Sequence, residues 1–479
     1  MKILFINPNS KKSKGFPQKC FPPISLLYLA SFLLENNYKV SVIDANALRL
    51  SDKEIVNKIG EFKPDILGIP LFSDIFFETY YLIKKIKKFY PNLRIVLGGP
   101  HINGAGGDVL KDFKEVDFAI KGEAEFAMVK LCQALEKKLD ISSVEGLYYR
   151  KNGEIVFCPL FSSFKDLDKL KFPNREILDD VYKKKKYYLI LTRDRPIDTI
   201  ITSRGCPFSC GFCCITSKEY RARSPENVLE EILYVYKRGI RNIDFGDANF
   251  TFDRLRALKI FELIKKEKLN IRFRFKSRVD SIDKELVRKA KEAGAYLISL
   301  GVESGSQKIL DRMKKGITIE QSIKVCEIVM KEGLKLNTGW IIGYLGETEE
   351  TIKETVKLIL KIKPTTASIN ILIPYPGTSV YYEAKQEKLL VGDWNLENNF
   401  TPWVRLSWIK SYQQLQDIFR WVKNKVYYRP YYIRNFTKEI FYNFNPLLFR
   451  YAFYEVIKSF KLKGGWYGVI VIFIFTFCA

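Results

Sequence analysis

At 479 residues the chain is long enough for two or three domains that each bury their own core, and 47% hydrophobic with 14% aromatic residues excludes a disordered polyelectrolyte. The net charge of +25 leaves open a nucleic acid, an anionic membrane surface or no specific partner. Nine cysteines, four of them between 206 and 214 and the rest scattered, do not form a disulfide framework; Lys2 leads directly into a strand-like run rather than a signal peptide, so the expected compartment is a reducing cytoplasm.

Five short apolar runs open the chain, at 2–7, 39–44, 65–70, 94–99 and 117–122, separated by helical patterns such as the one through 24–37. Apolar strands alternating with helices predict a doubly wound parallel α/β sheet over residues 1–150. Ligands of such sheets bind beyond the carboxyl ends of the strands. Those ends read Asn7-Pro8, Ser73-Asp74, Gly98-Gly99-Pro100-His101 and Gly122-Glu123, small or turn-forming residues that let a ligand approach backbone. Residues 151–195 lack this periodicity, hold the basic run Lys183–Lys186 and the turn-prone Phe172-Pro173-Asn174, and read as a linker with some short structure.

A second βα series follows, with strands near 199–202, 241–245, 271–276, 296–301, 335–342 and 367–373. Six such units over 196–395 predict a partial (βα)6 barrel with its chemistry at the carboxyl ends of the strands. Residues 396–479 read as a mostly helical, aromatic and basic region, with helices near 412–426 and 436–460. The uncharged run 464–479 would span about 24 Å as a helix against a hydrocarbon core of ~30 Å. Lys458, Lys461 and Lys463 precede it, and Trp466 and Tyr467 stand where interfacial aromatics would, so a monotopic membrane contact is the expectation, with a buried terminal element as the alternative.

The first barrel strand runs into Ser203-Arg204-Gly205-Cys206-Pro207-Phe208-Ser209-Cys210-Gly211-Phe212-Cys213. Thiolates are soft ligands suited to iron–sulfur clusters or zinc, and three thiolates on a four-iron cubane leave one iron open. A structural zinc site would need a fourth ligand such as Cys214, and adjacent cysteines seldom both serve one tetrahedral ion.

The C-x3-C-x2-C spacing resembles the signature of the radical SAM superfamily, whose [4Fe-4S] cluster binds S-adenosylmethionine at the open iron. The resemblance makes Cys206, Cys210 and Cys213 the cluster ligands and lays Phe212 against adenine. It extends to Gly343 in Gly343-Tyr344-Leu345-Gly346-Glu347-Thr348, a strand-end glycine motif near the adenine, and to Glu303 and Ser304 in Gly301-Val302-Glu303-Ser304-Gly305, near the ribose and methionine. It makes Arg278 a partner for the methionine carboxylate, which a guanidinium can grip bidentately. Asp247, in Gly246-Asp247-Ala248-Asn249, falls where relatives contact the amino group.

Phe21-Pro22-Pro23-Ile24-Ser25-Leu26-Leu27-Tyr28, Gly98-Gly99-Pro100-His101 and Gly122-Glu123-Ala124-Glu125 resemble the cobalamin-binding domains that precede such barrels. This implies a corrinoid held by Asn7, Ser73, Gly98, Gly99, His101, Gly122 and Glu123. Asp-x-His-x-x-Gly is missing, so cobalamin bound without a histidine ligand is the expectation, although His101 could face the corrin or be a packed residue. Gly-Glu-Gly-Glu of the family becomes Gly122-Glu123-Ala124-Glu125, which adds a methyl group where backbone should approach a ligand.

Taken together, the resemblance covers roughly residues 1–395 and implies radical chemistry on an unactivated carbon, most commonly methylation from methylcobalamin. Tyr427-Tyr428-Arg429-Pro430-Tyr431-Tyr432 is similar to a segment of relatives that act on lipids, hopanoids and porphyrins. The implied partners are a small-molecule or lipid-like substrate, an external electron donor and a peripheral membrane contact through the tail. Ring formation of the magnesium-protoporphyrin ester cyclase type stays open, as does an RNA-binding or RNA-modifying role for the basic tail. No recognisable RNA-binding module accompanies the charge, so nucleic acid is not the expected partner.

Overall fold

The computed structural model describes residues 1–9, 19–159, 164–189, 194–214, 217–392, 394 and 402–443. Strands β1 (Lys2–Asn7), β2 (Lys39–Asp44), β3 (Ile66–Pro70), β4 (Arg94–Gly98) and β5 (Phe118–Ile120) pair in parallel in the order β2-β1-β3-β4-β5. Alternation along β1 feeds two cores. Ile3 and Phe5 meet Leu27 and Leu131 of helices Ile24–Glu35 and Glu125–Lys137, while Leu4 and Ile6 meet Ile59 and Ile86 of helices Asp52–Phe62 and Phe76–Phe89. Because chain order reverses between β1 and β3, a crevice opens beyond their carboxyl ends.

The sheet does not stop at five strands. Leu147–Lys151 (β6) pairs antiparallel with β5, and Glu154–Phe157 (β7) pairs antiparallel with β6. Their turn is Asn152-Gly153, both at positive φ, the tight hairpin signal that the linker reading of this stretch passed over.

Strands β8 (Ile197–Ile200), β9 (Asn242–Phe245), β10 (Arg272–Arg278), β11 (Ala295–Glu303), β12 (Lys335–Ile342) and β13 (Thr366–Ile371) then form a second parallel sheet in sequential order, the expected partial barrel. On β10, Phe273 and Phe275 pack on Phe261 of the helix Arg254–Lys266, so Arg274 and Lys276 face the lumen. Helix Tyr412–Tyr427 packs on helix Glu349–Ile362 and on β13, where the Tyr427 hydroxyl donates to the Ala367 carbonyl. The last described helix, Pro430–Asn443, begins earlier than expected; residues 444–460 of the expected helix and the run 464–479 lie outside the described residues. No helix of the described residues is long and apolar enough to cross a membrane.

The two sheets meet closely. Gly104 and Gly377 oppose each other backbone to backbone, and a Cβ on Gly377 would lie 2.7 Å from the Gly104 Cα. Beside them Trp394 packs edge-on against His101, with ring centroids 5.7 Å apart.

Part of the stretch read as a linker is built into the barrel. Arg175 is fully buried, its guanidinium 2.5 Å from Asp198 on β8 and 2.7 Å from Glu231 on helix Pro225–Lys237. Arg223 pairs with the second oxygen of Glu231, and the Tyr182 hydroxyl donates to Asp198 at 3.0 Å. Removing one member of such a network leaves buried charge without its partner. Arg175→Met is therefore expected to destabilise the protein by about 3–5 kcal/mol in urea unfolding followed by circular dichroism.

Candidate functional site

A two-residue antiparallel stem, Ser203–Arg204 with Arg221–Ala222, carries the cysteine loop directly after β8. Gly205 turns into the loop at φ +82, and a Cβ there would fall well inside contact with the Glu219 carbonyl, so only glycine fits. The Cys206 amide donates to the Ser217 carbonyl at 3.0 Å, the Cys213 amide to the Cys210 carbonyl at 3.0 Å, and the Gly211 amide to the Met313 carbonyl at 2.8 Å. Cys206 is buried and Cys210 and Cys213 are half-buried, none of the three in a disulfide. Among the described residues no three His, Cys, Asp or Glu side chains are gathered as a single metal ion would need. A cubane asks something different, because each thiolate binds a different iron.

Asp247, expected near the amino group of S-adenosylmethionine, is turned to the loop instead. Its carboxylate is buried and accepts from the Thr202 amide at 2.7 Å, the Ser203 amide at 3.2 Å and the Thr202 hydroxyl. Burial pushes its pKa up against those hydrogen bonds. Arg256 completes the support, donating to the Thr202 and Arg223 carbonyls at 2.7 Å each. Ser304, expected near the ribose and methionine, is also turned away: its hydroxyl accepts from the Ser306 amide at 3.2 Å and faces Thr355, 3.3 Å off.

Of the four other expected residues, Arg278 touches the loop and Phe212, within it, faces the Lys315–Glu303 pair. Arg278 Nη1 lies 3.4 Å from Cys210 Sγ, the guanidinium stacks 3.6 Å over the Phe208 ring, and its fork holds Asp280 at 2.9 and 2.8 Å. Phe212 lies 5.7 Å from the Lys315 ammonium, which pairs with Glu303 at 2.9 Å. Gly343, at φ +89, donates its amide to Glu347. Glu347 stands in the strand-end glycine motif, where the sequence assigns it no role of its own. It is buried, its Oε1 has no hydrogen-bond partner, and burial raises its pKa to about 8 against the opposing amides of Gly343 and Tyr344.

Across the crevice of the first sheet, Asn7 Nδ2 donates to Asp44 at 2.8 Å, and the Tyr187 hydroxyl donates to the same carboxylate at 2.9 Å. Ser73 Oγ lies 2.8 Å from Nδ1 of His101, whose ring is buried between Phe76 and Trp394. His101 is thus packed and hydrogen-bonded in this fold. Gly99, at φ +95, abuts the Leu71 backbone, whereas a Cβ on Gly98 would meet only the Ile120 carbonyl, 3.9 Å away. Gly122 is held by Asn103, its amide donating to Oδ1 at 2.8 Å. Phe72, at the end of β3, is 38% exposed, an apolar face that nothing in its local pattern marked out. An open glycine edge and an exposed aromatic beside the switch point fit a large planar ligand.

Glu123 joins the two sites. It pairs with Arg204 at 2.9 Å and with Arg221, and Glu125 pairs with Arg204 at 2.6 Å, so both strands of the cysteine-loop stem are ion-paired to the end of β5. Burial alone would raise the Glu123 pKa, but the Arg221 hydrogen bond and the Arg204 charge outweigh it and hold the carboxyl below its ordinary range.

Residues 200–359 match the radical SAM superfamily and residues 17–131 match the B12 binding domain. An uncharacterized methyltransferase of Pyrococcus horikoshii is 32% identical, over 90% of this chain and 93% of its own. The anaerobic magnesium-protoporphyrin IX monomethyl ester cyclase of Rubrivivax gelatinosus is 29% identical, over 84% and 73%. The structure of the radical S-adenosylmethionine methyltransferase TsrM from Kitasatospora setae, with cobalamin and a [4Fe-4S] cluster bound, shares the fold at a TM-score of 0.71 and 17% identity, over 87% of this chain and 90% of that one.

Two outcomes follow from this geometry. Gly205→Ala is expected to cost the loop its turn, so that anaerobically reconstituted protein retains under about a tenth of the wild-type iron by colorimetric assay. Glu347 binds a proton in the fold up to about pH 8 but loses it in the unfolded chain near 4.5. Unfolding therefore releases a proton within that window, and stability falls as pH rises through it, by at most about 1.4 kcal/mol per pH unit. Denaturation midpoints at about pH 6 and about pH 8.5 should differ in that sense, and Glu347→Gln should remove this part of the difference.

Proposed function

The chain belongs to the radical SAM enzymes that carry an N-terminal B12-binding domain, and we propose that it transfers a methyl group to an unactivated carbon of a large, apolar or lipid-like acceptor. The observation that carries this reading is the ion-paired junction of Arg204 and Arg221 with Glu123, which sets a three-cysteine loop against the ligand edge of a doubly wound sheet. Cys206, Cys210 and Cys213 would hold the cluster, with Phe212, Arg278, Glu303 and Gly343 around S-adenosylmethionine. Asn7, Phe72, Gly98, Gly99 and Gly122 would edge the corrinoid. When bound, the cluster supplies the electron that cleaves S-adenosylmethionine, and methylcobalamin supplies the methyl group.

The residues of the chain contribute position and exclusion of water. Asp247 and Arg256 fix the strand that leads into the cysteine loop, the Arg278 guanidinium lies on Cys210 and can meet a carboxylate on the same side, and Trp394 closes the interdomain seam over His101. The electron donor is external. The basic, aromatic tail is assigned a peripheral contact with anionic lipid, in keeping with an apolar acceptor. Ring formation is the second reading, favoured by the 29% identity to the Rubrivivax cyclase.

Anaerobic reconstitution tests the assignment. Wild-type protein is expected to hold about four irons with matching sulfide and about one corrinoid per chain, and to release 5′-deoxyadenosine from S-adenosylmethionine under reductant. Alanine at Cys206, Cys210 or Cys213 should lower cluster iron and abolish cleavage while leaving corrinoid content unchanged. Cleavage that survives these substitutions rules the assignment out.

A further inference from the structure

The lumen face of the barrel carries positive charge that the cofactor sites do not use. Arg274 is neutralised by Asp244 at 2.6 Å and lies 5.1 Å over the ring of Phe21. Lys276, two residues nearer the cysteine loop, is exposed and has no ion-pair partner among the described residues. It stands in register with Ser299, Asn337 and Thr366 on β11, β12 and β13. These polar side chains are tied together. Thr366 and Ser368 donate their hydroxyls to Asn337 Oδ1 at 2.8 and 2.9 Å, and Asn337 Nδ2 reaches Ser299 Oγ at 3.5 Å.

Lys19 approaches from the first domain, two residues before Phe21, whose ring lies under Arg274. Its strand, Lys19–Cys20, is pinned by antiparallel pairing with Tyr188–Leu189. Burial, then the like charges of Lys276 and Arg274, lower its ammonium from the ordinary lysine range, and Asp244 and Asp74 offset this only in part. The side chain is nonetheless open to solvent, as expected of a group lining a cleft rather than packed in a core. Two ammonium groups facing one lumen, neither with an ion-pair partner among the described residues, repel each other, and an anion between them would relieve that. Such an anion would also lie close to the chemistry. Lys276 is two strand residues, about 6–7 Å, from Arg278, which touches Cys210.

We propose that the barrel lumen binds an anionic group of the acceptor, a carboxylate or a phosphate, on Lys19 and Lys276, so that the acceptor is an amphiphile with an apolar body and a charged head. This rests on the methyl-transfer reading for its meaning but not for its test. Full-length reconstituted protein is titrated calorimetrically with n-hexyl phosphate, n-hexanoate and 1-hexanol. At least one anion should bind saturably to wild type and to Lys276→Arg, at least tenfold more tightly than hexanol, and the tighter anion identifies the head group. The double variant Lys19→Met/Lys276→Met should bind that anion at least tenfold more weakly while keeping wild-type iron content and circular dichroism. Equal affinity in the double variant, hexanol binding as tightly as both anions, or no saturable anion binding to wild type would each overturn the proposal. Loss of the cluster reading would show instead in the iron and cleavage measurements, which this titration does not use.

Discussion

Two arginines on the stem of a short hairpin hold this molecule in its working arrangement. The stem is only two residues long on each side, too little to hold a rigid loop by backbone pairing alone. Arg204 and Arg221 extend it with charge, gripping Glu123 and Glu125 where β5 gives way to the helix Glu125–Lys137. These groups are mostly buried, so their attraction is screened less than that of a surface pair, and cutting one partner would strand the other. Two α/β layers are thereby tied at the point where one presents thiols and the other presents its ligand edge. The backbone contact of Gly104 with Gly377 fixes the same junction sterically, since neither position has room for a side chain.

Behind the loop, a second set of buried charges keeps β8 from shifting. Asp198 points outward to Arg175 and Tyr182, while Asp247, from the end of the next strand, grips Thr202 and Ser203. Arg223 and Arg256 bridge Glu231, Ile201 and Thr202 between these anchors. A cluster loop needs this support because its own contacts are few, and positional errors of a fraction of an ångström matter to ligands that must converge.

The parallel strands were legible because a strand buried on both faces must be apolar throughout, and the cysteine loop because ligand chemistry dictates its spacing. Which way a polar side chain turns at a strand end was not legible. Asp247 and Ser304 stand at the predicted positions yet turn toward the entry to the cysteine loop and toward the helix Glu349–Ile362, a choice made by neighbours such as Thr202 and Thr355 that are distant in sequence. Arg175 lies in a stretch without periodicity where nothing set it apart, and only the fold brings Asp198 and Glu231 to it. Ala124 shows the converse. Read as an added methyl group in a ligand's path, it sits at φ −98, where any residue is at ease, and caps the helix Glu125–Lys137, its carbonyl accepting from Met128 at 2.9 Å.

Six strands do not close a barrel, and the opening has consequences for what can reach the cysteine loop. Among the described residues β8 and β13 do not pair with each other, so the sheet keeps an edge on each side. Ser368 and Asn370 on the lumen face of β13 are exposed there, with helix Tyr412–Tyr427 packed on the strand from outside. Glycines at 301 and 339, in register beside Arg278, leave room for the Glu303–Lys315 ion pair, which lies over Gly301 one rung above Lys276. On the proposed reading, an acceptor would meet that ion pair beside the cysteine loop and the polar rung of Lys276, Ser299 and Asn337 below it, an environment suited to a charged end rather than an apolar one.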